Sequence, residues 1–372
     1  MAPGSIGRGV SRKSEDLFWN WLKIVRADEA VSMLGVSGPI LDRLPERICR
    51  AGKTHIIVHQ AEALMINPAE APEPTATAGR TDAAAAPEPS ASRHSRLADL
   101  GPRIVSALIL VAGAIATVLS GGLVFVLAWL AASLVVHFEW QRLVGGLRHI
   151  LRFAPGSLAI IAAAIAANSN GSGLAMLLLV LGALASASLA EEGRRVWSAV
   201  GVIYAGSLFV SLSALRLSFP FGPRAIGWLF AVVWSTDVIA YFAGRLIGGP
   251  KFMPRVSPSK TWAGTMAGLL GGAAVGSIFL LLAAHVTRLD TPAPVWVLFL
   301  LGLMTAAVAQ AGDLFESWTK RRFGAKDSGS LLPGHGGLLD RLDGFIAAAA
   351  WVTILGALRG FPSPAEGLFH WM

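Results

Sequence analysis

From Ile104 to about Leu358 the chain is a succession of apolar runs, several close to the ~20 residues that cross the hydrocarbon core of a bilayer. Charge is ordinary before about residue 103 and sparse after it. The whole chain is 54% hydrophobic and only 15% charged, where a soluble domain carries roughly a quarter charged residues. The 41 glycines, with abundant alanine, suit helices that pack closely in lipid. These features predict an all-α, polytopic transmembrane helical bundle. About nine spans are expected, at residues 104–119, 122–138, 156–168, 172–189, 196–215, 225–246, 262–284, 295–315 and 344–358.

The intervening loops test that count. With the N-terminus inside, the inner loops hold Arg142, Arg148, Arg152, Arg194, Arg195, Arg245, Lys251, Arg255, Lys260, Lys320, Arg321, Arg322, Lys326 and Arg341. The outer segments hold only Arg216, Arg224, Arg288 and Arg359. Fourteen against four is a positive-inside bias, and it places the C-terminus outside and the charged loops in the cytoplasm. The net charge of +8 is accounted for by this asymmetry, so membrane lipids rather than nucleic acid are the expected partners. Cys49 is the single cysteine, which excludes an intramolecular disulfide and a cysteine metal site.

Three domains are expected. Residues 1–66 form an extension in which Glu15 to Leu34 has a partial helical period, compatible with a helix on the membrane surface or a small appendage. No signal-peptide core is visible. Residues 67–97 are rich in Pro, Ala, Glu, Ser and Thr and read as a disordered linker. Residues 98–372 are the membrane domain. Met65 is an alternative translation start.

Three segments stand out from the apolar background. In Trp234 to Gly264, Asp237 and Arg245 lie in or near the sixth span, where ionisable groups are costly and mark function. Lys251, Arg255 and Lys260 follow among Ser257, Ser259 and Thr261, a set suited to polyphosphate at a helix start. A lipid-headgroup patch explains those cations but not the clustered hydroxyls. SPSKT resembles the tail of a P-loop, but the full motif is absent and no strand is expected before it. In Gln310 to Ser317, Asp313 and Glu316 share one helical face; a hard cation such as Mg²⁺ or an arginine of a neighbouring helix would each satisfy them. Ser317 to Asp343 is expected as a loop with Lys320, Arg321, Lys326, Asp327, His335, Asp340, Arg341 and Asp343. Its glycines Gly334, Gly336 and Gly337 permit close backbone approach to a ligand. Asp340 and Asp343 open the ninth helix and, with Asp313, make a carboxylate set for Mg²⁺.

This last segment closely resembles the signature of phosphatidate cytidylyltransferases, the CDP-diacylglycerol synthases. The pattern is met at Ser317, Lys320, Arg321, Lys326, Asp327, Gly329, Leu332, Pro333, His335, Gly336, Gly337, Leu338, Asp340, Arg341, Leu342 and Asp343. It departs at Thr319, where an apolar residue is usual. Upstream, Asp237, Ala240, Tyr241, Gly244, Arg245 and Gly248, then Ser257, Pro258, Lys260, Thr261 and Gly264, then Gln310, Gly312, Asp313, Glu316 and Ser317 are similar to three further family motifs. The resemblance covers about residues 103–360.

The resemblance implies that CTP and phosphatidic acid give CDP-diacylglycerol and pyrophosphate, with Mg²⁺ as cofactor and a homodimer as the assembly. The lipid phosphate is itself the nucleophile, so charge neutralisation and positioning suffice. Asp313 and Asp340 are then the first metal ligands, with Asp343 and Asp237 next. Lys251, Lys260, Lys320, Arg321, Lys326 and Arg341 hold phosphates, and Ser257, Ser259 and Thr261 donate to them. His335 either donates to pyrophosphate or braces the Gly-rich turn. The same chemistry on an isoprenoid-type lipid phosphate is the nearest alternative. A CDP-alcohol phosphatidyltransferase is excluded because Asp343-Gly344 is not followed by the required arginine. A transporter would carry inverted repeats, and none is found.

Overall fold

The computed structural model describes residues 100–371 apart from 147, 148, 170, 288–292, 330 and 332–335. The expected extension at 1–66 and linker at 67–97 lie outside the described residues. Among those described, ten helices and one hairpin follow in order: α1 (Leu100–Ser120), α2 (Gly122–Val144), α3 (His149–Asn168), α4 (Ser172–Ser188), α5 (Arg195–Arg216), α6 (Gly222–Leu246), β1 (Lys251–Met253), β2 (Ser257–Thr261), α7 (Trp262–Thr287), α8 (Val295–Arg322), α9 (Leu339–Leu358) and α10 (Pro364–Phe369).

Each of the nine expected spans falls on one of α1 to α9. Seven of these helices, α2, α3 and α5 to α9, are long and apolar enough to cross a membrane, and Leu108–Ser120 and Ser172–Ser188 are shorter apolar helices. Large apolar side chains line the outside: Leu119, Leu123, Leu158, Ile165, Leu184 and Leu282 are all more than half exposed. In water such a surface would aggregate; in lipid it is the solvent-matched face. The chain is a multi-pass integral membrane protein.

Some boundaries differ from expectation, with local causes. Helix α3 begins at His149, before Pro155, although proline removes a backbone donor. Its first turns are held from outside: the wholly buried Arg152 donates to Gln141 O (3.1 Å) and Gly145 O (2.5 Å) at the end of α2. Helix α8 runs on to Arg322, so Ser317, Lys320 and Arg321 are helical and not in the loop expected there. The Glu316–Lys320 pair at i,i+4 supports that last stretch. The stretch SPSKT is strand β2, paired antiparallel with β1. A strand therefore does precede the motif, against expectation, but the motif is itself extended, so the P-loop order of strand, loop and helix is still not met.

Lipid offers no hydrophobic force between helices, so association depends on close packing. Helix α7 meets α6 through Gly264, Gly268, Gly272 and Gly276. A methyl group on Gly264 would stand 2.6 Å from Ala240 O and 3.0 Å from Gly244 Cα. One on Gly268 would stand 2.8 Å from both Thr236 O and Ala240 Cβ. Gly312 of α8 and Gly344 of α9 make a second such crossing: methyls there would meet Asp343 O at 2.9 Å and Ala309 O at 2.8 Å. Helices α2 and α5 add polar bonds to a close approach of Gly201 to Trp140. Trp140 Nε1 donates to Trp197 O (2.8 Å), Gln141 Nε2 to Ser198 O (3.0 Å), and Ser198 Oγ to Gln141 Oε1 (3.1 Å).

These contacts bring the basic loops to one end of the bundle. Arg194, just before α5, bonds Val144 O at the end of α2, and Lys260 of β2 pairs with Asp313 of α8. Gly264→Ala is expected to cost about 1–3 kcal/mol by forcing α6 and α7 apart, while Gly173→Ala, where nothing lies within 4 Å, is expected to be neutral. Thermal unfolding of the two variants in detergent compares them directly.

Candidate active site

A cavity of about 1500 Å³ opens between α1, α2, α6, β2, α8 and α9. One end is charged, lined by Asp237, Arg245, Lys251, Ser259, Lys260, Thr261, Asp313, Glu316, Lys320, Asp340, Arg341 and Asp343. The other is apolar, lined by Ile109, Leu110, Ala114, Trp129, Phe230, Trp234 and Phe345 among others. The aromatic rings there stack on one another: Phe230 on Trp234 at 4.6 Å, Phe230 on Phe345 at 4.9 Å, and Trp129 on Phe345 at 5.8 Å between centroids.

The glycine crossings place the charged residues. Gly312 and Gly344 bring the α8 and α9 backbones together, so their chain neighbours Asp313 and Asp343 face one cavity. Tyr204 on α5 donates to Asp343 O (2.8 Å), which fixes that turn of α9. At the α6–α7 crossing, Thr261 Oγ1 accepts from Gly264 N (3.1 Å) and starts α7, which leaves Lys260 pointing across to Asp313 Oδ2 at 2.6 Å. Ser317 Oγ approaches the other oxygen of Asp313 at 3.4 Å. Asp237, expected in or near the sixth span, lies within α6 and opens onto the cavity. Arg245 Nη1 donates to Tyr241 OH (3.0 Å) one turn away.

Lys320 is shared between two carboxylates, Glu316 Oε2 at 2.7 Å and Asp340 Oδ1 at 2.9 Å. The side chains of all three are at most 14% exposed. Both carboxylates of the Asp313/Glu316 pair make ion pairs with lysines, Asp313 with Lys260 and Glu316 with Lys320. Asp340 has further partners. Ser328 N reaches both its oxygens at 3.1 Å, and Gly337 N donates to Oδ2 at 2.9 Å. Among the described residues no group of three His, Cys, Asp or Glu side chains closes on a point where a metal would sit.

Not every expected residue reaches the cavity. Arg321, Lys326 and Asp327 are exposed, and Asp327 borders a separate cavity of about 340 Å³ with Arg142, Ser328 and Gly329. Ser257 lies in β2 outside the lining, and Gly336 and Gly337 shape the turn before α9, Gly336 at φ +82°. His335 lies outside the described residues. Thr319, the departure from the family pattern, is fully buried and donates to Phe315 O (2.8 Å), so its hydroxyl is satisfied within its own helix. One contact was not anticipated: Glu139 on α2 accepts from Leu338 N (3.1 Å) and Leu339 N (2.7 Å) at the start of α9. The signal was present in the sequence, since a carboxylate near the end of an apolar span invites the same question as Asp237.

Comparison with known proteins agrees with this geometry. Residues 101–358 match the cytidylyltransferase family. The chain is 41% identical over 276 residues to the phosphatidate cytidylyltransferase of Brucella suis, covering 73% of this chain and 99% of that protein. It is 38% identical over 159 residues to that of Bacillus subtilis, covering 43% and 57%. It is 36% identical over 149 residues to that of Rickettsia bellii, covering 40% and 64%.

The two lysine pairs differ in burial, and so in what their loss costs. Lys320→Met leaves Glu316 and Asp340 facing each other without a cation and is expected to destabilise by about 3–5 kcal/mol. Lys260→Met removes a pair whose side chains are 22% and 31% exposed, for which about 1 kcal/mol or less is expected. Melting temperatures of the two variants in the same detergent check the order.

Proposed function

This chain belongs to the cytidylyltransferase family, and we propose on that premise how its residues make CDP-diacylglycerol and pyrophosphate from CTP and phosphatidate. The observation that carries the reading is the two-ended cavity. A charged end takes the polyphosphate and the lipid phosphate, and an apolar end of the same cavity takes acyl chains. A phosphate oxygen of phosphatidate attacks the α-phosphorus of CTP. The new P–O bond forms as the bond to the β-phosphate oxygen breaks, and its electron pair leaves on pyrophosphate. Because the nucleophile is already anionic, no side chain has to remove a proton.

The protein's part is positioning and charge neutralisation. Lys260, Lys320, Lys251, Arg245 and Arg341 take phosphate oxygens, with Ser259 and Thr261 as neutral donors. Lys260 and Lys320 are held by carboxylates until phosphates compete for them, so their ammonium groups are in place before substrate binds. Asp237, Asp313 and Asp343 line the cavity and are oxygen donors of the kind a hard divalent cation takes; since no three of the described carboxylates close on one point, substrate phosphates would have to complete the set. Mg²⁺ is commonly held by one or two carboxylates together with substrate phosphates. To serve as ligands, Asp313 would have to give up Lys260 and Asp340 would have to give up Lys320. When bound, Mg²⁺ would offset charge on the triphosphate.

We assign the charged end of the bundle to the cytoplasm, where CTP is, on the excess of Lys and Arg in the loops at that end. A homodimer, implied by the family resemblance, belongs to the same reading. The test uses purified protein with CTP labelled at the α-phosphate, phosphatidic acid and Mg²⁺. Label is expected to become lipid-soluble only with both phosphatidate and Mg²⁺, and to fall at least about 100-fold in Asp313→Asn and Asp343→Asn. Label that stays aqueous with phosphatidate but enters an isoprenoid phosphate would replace the lipid substrate. Full labelling in both variants would overturn the metal assignment.

A further inference from the structure

Glu139 lies on α2, is 3% exposed, and takes no part in the chemistry described above. Its two oxygens accept from consecutive amides, Leu338 N at 3.1 Å and Leu339 N at 2.7 Å, and Ser328 Oγ lies 3.5 Å from Oε2. Ser328 precedes the Gly-rich loop, and Leu338 follows it. One carboxylate therefore ties both limbs of that loop to a helix some 199 residues away in sequence. From the other side Asp340 binds Ser328 N and Gly337 N. Three successive amides at the start of α9 are thus shared between two carboxylates from different helices.

We propose that Glu139 is a positioning residue for the cytidylyl transfer, setting the first turn of α9 so that Asp340, Arg341 and Asp343 face the cavity; the inference rests on the reaction assigned above. The anchor is rigid. The next residue, Trp140, is wholly buried and bonded to Trp197 O, and Gln141 is bonded to Ser198. A negative charge at a helix N-terminus is favoured by the helix dipole, and charge-assisted bonds to amides are stronger than neutral ones. The loop is shaped around the carboxylate. A methyl on Gly329 would come 2.7 Å from Glu139 Oε1, and one on Gly337 2.7 Å from Oε2. The remainder of α9 has its own anchors, Tyr204 to Asp343 O and Thr353 to Ser211 O, so loss of the clamp loosens the first turn without releasing the helix.

Two variants test this. Glu139→Gln keeps the volume but loses the charge and an acceptor. Gly329→Ala leaves α2 untouched and pushes on the carboxylate from the loop. Hydrogen exchange of the substrate-free protein is expected to quicken about tenfold at Leu338 and Leu339 and to stay unchanged in α5 and α7. kcat is expected to fall about 10–100-fold in both variants, with KM for phosphatidate and the melting temperature close to wild type. Wild-type kcat in Glu139→Gln would overturn the proposal. So would faster exchange spread through the whole bundle with a lowered melting temperature, which marks a structural role alone. A wild-type protein inactive in the labelling assay would overturn the reaction instead, while the exchange data still decide whether Glu139 holds the turn.

Discussion

Helices in lipid gain nothing from burying apolar surface against one another, since the lipid is as apolar as they are. This bundle depends instead on backbones that touch. The four glycines spaced along α7 and the Gly312–Gly344 crossing remove the side chains that would hold the helices apart. The chemistry depends on the same contacts. Lys260 and Thr261 stand just before the first of those glycines, and Asp313 and Asp343 stand beside the second crossing. Fold and site are therefore not separable here.

At the charged end, five of the cavity's ions hold one another. Lys260 is held by Asp313, and Lys320 lies between Glu316 and Asp340. At the edge of an apolar bundle an unpaired charge is expensive, and one shared between partners is less so. These pairs keep the cations in place.

Much of this was legible from residues alone. All nine expected spans coincide with helices, because a run of apolar residues long enough to cross lipid has no other regular way to satisfy its backbone. Asp237, Lys260, Asp313, Lys320, Asp340 and Asp343 were named as site residues from their chemistry and from the family pattern, and all line one cavity. Less legible were features set by distant partners. Helix α3 passes through Pro155 because Arg152 reaches α2. Lys326 and Asp327 match the family pattern, yet stand outside the main cavity.

The sequence by itself determined the membrane bundle and the family of its reaction. Hydropathy and motif spacing are local properties, and they survive without knowledge of which helix meets which. Only the tertiary structure decided the partners. It gave Lys320 to both Glu316 and Asp340, turned Asp237 toward an open cavity, and set Glu139 against the start of α9. Such contacts join residues far apart in the chain, at distances fixed by helix packing, and no local pattern carries that information.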